Sequence, residues 1–228
     1  MQVFTDIFSS DNTRFLFAGF LTTILVSIIT VLLSIMFGTV LALLRNYAGK
    51  RVFGKLASVY IEIFRSTPLL LWILICVFML PFSTALGRGS LALILYTSSV
   101  IAEIVRGGLN SIAKGQFEAA RSQGFNFLQT LWYIVLPQCF KRIVPSLMSQ
   151  VITTVKDTSF FAQFGIAEFF FNAKTLMGIL PQKITITTAH IFIIFGFIAL
   201  MYFLVNFSLS VIVRKCSKGD EEYQFYSE

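Results

Sequence analysis

The stretch FLFAGFLTTILVSIITVLLSIMFGTVLALL, Phe15 to Leu44, runs from end to end without a charged residue. A helix needs about 20 mostly apolar residues to cross the hydrocarbon core of a bilayer, and this run is long enough to cross with tilt. Lipid offers the backbone no hydrogen-bond partners, so a crossing segment is either helical or part of a closed barrel. Apolar residues here do not alternate at a period of two, which argues against a barrel. The rest of the chain has the same character: 228 residues, 56% hydrophobic, 13% charged, mean hydropathy +0.80. Soluble domains carry about 25% charged and about 45–50% apolar residues. So few charges cannot cover a soluble surface, and the chain reads as an all-α integral membrane protein.

Working outward from 15–44, further spans are expected at about 66–87, 89–111, 139–156 and 184–213. Ser66 and Thr67 are possible N-caps of the second, with Pro68 in its first turn. Residues 89 to 102 are too short alone, so the third span continues past Glu103 toward Ser111. The fourth is short of apolar length between Arg142 and Lys156. Five spans form one domain, 1–228, with no internal repeat. The opening MQVFTDIFSSDNTRF lacks a charged n-region and a small-residue cleavage site, so no removable signal peptide is expected.

Orientation follows from the basic residues of the connections. Arg45, Lys50, Arg51, Lys55 and Arg65 lie between spans one and two. Arg106, Lys114, Arg121, Lys141 and Arg142 lie around the 112–138 connection, and Arg214, Lys215 and Lys218 in the tail. The opposite side carries only Arg14, Arg88, Lys156, Lys174 and Lys183. The amino terminus is therefore expected outside, and the carboxyl terminus and the 112–138 loop in the cytoplasm.

Topology also explains the net charge of +7, because the basic residues lie in short runs between helices. A nucleic-acid surface would gather them in a stripe with aromatic stacking partners. Cys76, Cys139 and Cys216 are far apart and form no CxxC pair, so neither a disulfide framework nor a metal site is expected. GKRVFGK, Gly49 to Lys55, imitates the start of a phosphate-binding loop. Leu56 then stands where that loop needs Ser or Thr, and a membrane helix precedes it instead of a strand. Any ATP that is used is hydrolysed by another subunit.

The cytoplasmic connection reads GQFEAARSQGFNFLQTLWYIVLPQ, Gly115 to Gln138. Glu118, Ala119 and Ala120 begin a short helix, and Gly124 can end it with a left-handed cap. Apolar residues resume at Phe125, Phe127 and Leu128, and Pro137 marks the start of the next span. Small Ala119 and Ala120 would let a partner approach closely, while Arg121 and Gln123 offer polar contacts. Gly124 follows the EAA triplet after three residues, Ile134 follows after nine more, and Leu136 and Pro137 follow after one more.

That spacing resembles the EAA signature of ABC importer permeases. EIFRSTPLL (Glu62 to Leu70), AEIVRGGLNSI (Ala102 to Ile112) and KDTSF (Lys156 to Phe160) look like its polar amino-acid branch, which includes histidine and glutamine permeases. The resemblance covers about residues 14 to 215, with motifs in the expected order. It implies the five-helix core of the type I importer fold in the cell membrane. It further implies a second permease subunit, identical or sister, and two cytoplasmic ATPase subunits, which bind the ATP and Mg while this chain binds no cofactor. A separate extracytoplasmic protein would deliver the amino acid. Glu118, Ala119, Ala120, Arg121 and Gly124 would then form the helix that docks on the ATPase. The chain departs from the family at Ser98 and Ser99, where small residues are common, and in the aromatic Phe160 and Phe161.

Ionisable groups at membrane depth usually face a cavity or a partner. Glu103 and Arg106, three apart on a helix, can pair and are assigned a helix-fixing role. Lys156, Asp157, Thr158 and Ser159 are a hallmark of the resemblance and candidates for holding a zwitterion, Lys156 its carboxylate and Asp157 its amine. A helix-terminating pair is the alternative, and Ser98 and Ser99 are the next candidates. His190, inside the fifth span, reads as a hydrogen bond to a hydroxyl, with pore lining and proton relay as other roles. Asn206 reads as an interhelical bond. An ion-gradient-driven carrier for small polar solutes is the alternative function, although its marks, repeat symmetry and broken midplane helices, are not seen. An intramembrane enzyme lacks any HExxH or nucleophile-elbow pattern.

Labelling from each side of the membrane tests the orientation. A cysteine at Gly49 should react only from the cytoplasm and one at Gln182 only from outside; the reverse pattern overturns the assignment.

Overall fold

A computed structural model describes residues 2–49, 51–81, 84–180 and 187–225. Lys50, Gln182, Lys183 and the expected start of the fifth span at Ile184 lie outside them, as do the side chains of Arg214, Lys215 and Lys218. Helices α1 (Gln2–Ile7), α2 (Ser10–Tyr47), α3 (Val52–Arg65), α4 (Leu69–Met79) and α5 (Ala85–Asn110) make up the first half. They are followed by α6 (Lys114–Ser122), α7 (Phe127–Gln129), a π-helical turn (Thr130–Val135) and α8 (Leu136–Asp157). A 3-10 helix (Thr158–Phe164), α9 (Phe169–Ile179) and α10 (Thr188–Phe225) complete the chain.

Among the described residues, α2, α5 and Thr188–Val213 of α10 are long and apolar enough to cross a membrane. Only 11% of the most apolar stretch of α10 is buried within the chain, so its surface meets lipid or another subunit. The expected span over 66–87 does not form as one helix. Helix α4 has 11 residues, a rise of about 16 Å, and is bent 103° from α3. Pro68 is the cause, because the residue before a proline is pushed out of the helical region and Pro68 has no N–H to continue the ladder. Thr67 turns its hydroxyl back to the Ile63 carbonyl at 2.7 Å. The third span begins at Ala85 and so takes in Arg88, earlier than the expected 89. Helix α8 does not reach the apolarity of a span by itself, since Lys141 and Arg142 lie within it.

The chain divides into two units. One gathers Met1–Val31, Leu69–Ile94 and Val151–Leu209. Its core joins Ile7 of α1, Leu16 of α2, Phe169, Ala173 and Leu176 of α9, and Ile194 and Ile198 of α10. The other gathers Leu32–Pro68, Leu95–Gln150 and Ser210–Glu228. There Leu41 and Ala42 of α2, Ala57 and Ile61 of α3, and Ile101 and Val105 of α5 pack with Leu131, Val135, Cys139 and Ile143. Lipid is as apolar as these side chains, so close packing does the holding, and small residues allow it. A Cβ on Gly38 would lie 2.7 Å from the Ser98 carbonyl oxygen, which shows how tightly α2 meets α5.

The second unit also carries a charge cluster. Glu103 pairs with Arg106 at 2.9 Å, with Arg45 at 2.6 Å and with Arg65 at 3.5 Å. Arg45 also reaches Glu62 at 2.8 Å, tying α2, α3 and α5 together. Glu103 is the hub, with a side chain only 16% exposed against three guanidiniums. Losing its charge leaves cations facing one another in a poorly solvated place. Glu103→Gln should cost roughly 2 kcal/mol of stability. Arg65, at 3.5 Å and 43% exposed, should matter little. Thermal unfolding of the detergent-purified protein checks this: the Glu103 variant should melt well below the Arg65→Gln variant.

Candidate functional site

The 112–138 connection folds as a tight helix–turn–helix within the second unit. Gly124 has φ +82°, the left-handed conformation a glycine adopts without strain. The Phe125 N–H reaches back to the Ala120 carbonyl and the Gly124 N–H to that of Arg121, each at 3.0 Å, closing the end of α6. Asn126 then caps the next helix: its side chain accepts from the Gln129 N–H while Gln129 accepts from the Asn126 N–H, both at 2.9 Å. Glu118, Ala119 and Arg121 point outward, but Ala120 is buried. The small size of Ala120 therefore serves packing within this chain, whereas Ala119 is exposed.

Pro137 does not separate this motif from the fourth span. Helix α7 runs through the π-turn into α8, and the Leu136 N–H bonds to Leu131 O, five residues back. The wide turn falls where Pro137 cannot donate. A cavity of about 350 Å³ opens between α6 and the rings of Tyr47 and Phe127, which meet edge-on at 5.2 Å; Lys114, Glu118 and Arg121 also line it.

The first unit holds Lys156 to Ser159. Thr158 is buried and donates its hydroxyl to Val155 O at 2.8 Å; Ser159 donates to Lys156 O at 2.7 Å. Lys156 and Ser159, three apart, face a cavity of about 250 Å³ with Phe170, Ile198 and Tyr202. Asp157 and Thr158 are not among its lining residues. Ser98 and Ser99 belong to the second unit and are fully buried. Ser98 bonds to Leu95 O at 2.8 Å and meets the Tyr60 hydroxyl at 3.1 Å, and Ser99 bonds to Tyr96 O at 2.6 Å.

Sequence reasoning missed Glu168. It is fully buried at the N-cap of α9, accepting from the Phe171 N–H at 2.7 Å and the Phe170 N–H at 2.9 Å. Thr23 donates to it at 3.2 Å, and the Tyr202 hydroxyl stands at 3.4 Å. Burial pushes the carboxyl up in pKa, and these four bonds pull the other way. An acid directly before the aromatic run Phe169 to Phe171 was the available signal for a helix start.

His190 lies within the expected fifth span, in the first turn of α10. Its Nδ1 accepts from the Thr187 N–H at 3.2 Å and meets the Thr187 hydroxyl at 2.8 Å, while Nε2 lies 3.6 Å from Asp6. The expected hydroxyl contact is present, but as a cap of its own helix. Asn206 likewise bonds to Tyr202 O on its own helix at 2.8 Å, in place of the expected bond between helices.

The family of binding-protein-dependent transport system inner membrane components matches residues 34–218. The "Probable glutamine ABC transporter permease protein GlnP" of Bacillus subtilis is 39% identical over 93% of this chain and 96% of its own length. The "Glutamate transport system permease protein GluD" of Corynebacterium glutamicum is 30% identical over 92% of this chain and 76% of its own. Among solved structures, that of an amino acid ABC transporter with histidines superposes with a TM-score of 0.76, at 27% identity, over 90% of this chain and 93% of that one. The MetNI methionine ABC transporter shares the fold, with a TM-score of 0.70 at 19% identity over 91% of this chain and 99% of that one. None of these relatives supports an ion-gradient-driven carrier. The chain belongs to the binding-protein-dependent transport system inner membrane component family, and is a multi-pass permease subunit of an ABC importer whose ATP is hydrolysed by a separate subunit.

Proposed function

We propose that this permease carries glutamine or a closely related polar amino acid inward. It does so with a second permease copy or sister, two cytoplasmic ATPase subunits holding ATP and Mg, and an extracytoplasmic binding protein. The amino terminus is outside, and α8 supplies the span that brings the count to five, with its Lys141 and Arg142 toward the cytoplasm. The observation that carries the reading is α6. It is a short helix closed at Gly124, with Glu118, Ala119 and Arg121 turned outward on a capped, rigid turn. Such an element can enter a groove on an ATPase and pass closure of that groove to the helices packed behind it.

Gly124→Val should disturb this. A branched residue resists φ +82°, so α6 loses its closing bonds and is misplaced. In vesicles with the ATPase and binding protein, ATP-driven L-glutamine uptake should fall at least about tenfold while the complex hydrolyses ATP without transport or sheds its ATPase. Normal uptake and normally stimulated hydrolysis would remove α6 from the coupling role.

Lys156 and Asp157 contribute the opposite charges that a zwitterion needs once it leaves water. Ser159 continues the row on the cavity that Lys156 faces, and the buried hydroxyls of Thr158, Ser98 and Ser99 are the next candidates. Asp157→Asn and Lys156→Gln keep the shapes and remove the charges. Uptake per assembled complex should drop about tenfold or more in each, since an unpaired desolvated charge costs more than a pair. Wild-type uptake in both variants would show that these residues do not hold substrate.

A further inference from the structure

Glu168 and the cavity beside Lys156 are joined by bonds that the path reading does not use. Of the five residues facing that cavity, Phe170 and Tyr202 both bond to Glu168 Oε2, through a backbone N–H at 2.9 Å and a hydroxyl at 3.4 Å. Glu168 does not line the cavity and is fully buried. It is further fixed by the Phe171 N–H on Oε1 and by Thr23, whose hydroxyl also accepts the Phe169 N–H at 3.2 Å. The ring of Tyr202 is held from another side by Phe169, at 5.7 Å, and Phe169 in turn meets Phe20 edge-on at 5.5 Å.

Every group that Glu168 meets here is a donor: two backbone N–H groups and two hydroxyls. An ionised carboxylate accepts on both oxygens and brings no donor of its own. A glutamine would turn an NH₂ toward at least one donor and leave a buried N–H unmatched. The acid is therefore chosen for what it holds in place. What it holds is part of the lining of a cavity of about 250 Å³, which Lys156 and Ser159, three apart on a helix end, also line.

We propose that Phe170, Ile198 and Tyr202 form the wall that recognises the side chain of the transported amino acid, and that Glu168 is the positioning residue that sets this wall. The inference rests on the reading that Lys156 and Ser159 flank the path. The lining contains one cation and no carboxylate. It suits an amino acid with a neutral or anionic side chain and repels a cationic one. The apolar and aromatic surfaces take the methylenes of the side chain.

The test uses the purified permease–ATPase complex without binding protein, so that selectivity at the delivery step cannot intrude. Equilibrium dialysis measures binding of radiolabelled L-glutamine and its competition by unlabelled L-serine, L-glutamate and L-arginine. In the wild type, L-arginine should compete at least about tenfold more weakly than L-glutamate. Ile198→Trp, which fills the cavity, should weaken L-glutamine about tenfold or more and leave L-serine less affected. Glu168→Gln should shift the ranking of competitors in complexes matched for ATPase content, and Tyr202→Phe, which deletes only the hydroxyl, should shift it part of the way. A purely structural Glu168 would lower yield and leave the ranking as it was. If Lys156→Gln abolishes binding while Ile198→Trp and Glu168→Gln keep the wild-type ranking, the wall is wrong and the path reading stands. Wild-type binding in Lys156→Gln overturns both, as does the absence of L-glutamine and L-glutamate binding to the wild-type complex.

Discussion

A chain dissolved in lipid must satisfy its own backbone wherever a helix stops, because no solvent stands by to do it. Three interruptions among the described residues are answered within a few residues. Thr67 turns its hydroxyl back to Ile63 O ahead of Pro68. Asn126 and Gln129 cap each other after Gly124. The carboxylate of Glu168 takes two N–H groups at the start of α9. These repairs place polar side chains at helix ends. On the proposed reading, the parts of the chain that meet an ATPase or an amino acid stand at such ends.

The second unit shows how such an end is made stiff. Phe117 of α6 packs against the cluster that holds Leu41, Ile61, Val105 and Val135. The same unit carries the cluster of Arg45, Glu62, Arg65, Glu103 and Arg106, which locks α2, α3 and α5 together by charge. On the proposed reading, a push on α6 acts on helices that cannot slide past one another easily. A soft mounting would dissipate the closure of the ATPase as local motion; packing plus a partly desolvated ion network resists that.

The apolar run 15–44, the left-handed Gly124 and the pairing of Glu103 with Arg106 were all legible in the sequence, because each depends on residues within a few turns of one another. What escaped depends on distance along the chain. Nothing near Arg45 announces Glu103, 58 residues away, or places Glu62 on its other nitrogen. Thr23 meets Glu168 across 145 residues. His190 and Asn206 escaped for a related reason: each places a hydrogen bond at its own helix, where reasoning from lipid alone sends a polar side chain to a neighbouring one, although His190 also lies 3.6 Å from Asp6 of α1. The second span failed as one helix on a local rule given too little weight, since Ser66-Thr67-Pro68 reads equally as a start of one helix and a stop for the one before.

The polar row from Lys156 to Ser159 illustrates the difference between a motif and a site. On a helix end, neighbouring residues point about 100° apart, so four consecutive polar side chains cannot all face one ligand. The structure sorts them: Lys156 and Ser159 face the cavity, and Thr158 is turned inward to Val155 O. Hydroxyls already donating to their own helix, as Ser98, Ser99, Thr158 and Ser159 do, offer a substrate only their lone pairs. Acceptors alone cannot tell one zwitterion from another. Discrimination must then come from shape, and shape is worth little unless it is held before the substrate arrives. A buried carboxylate with four donors converging on it is the part of this unit best suited to doing that, which is why a residue that touches no substrate can decide which substrate fits.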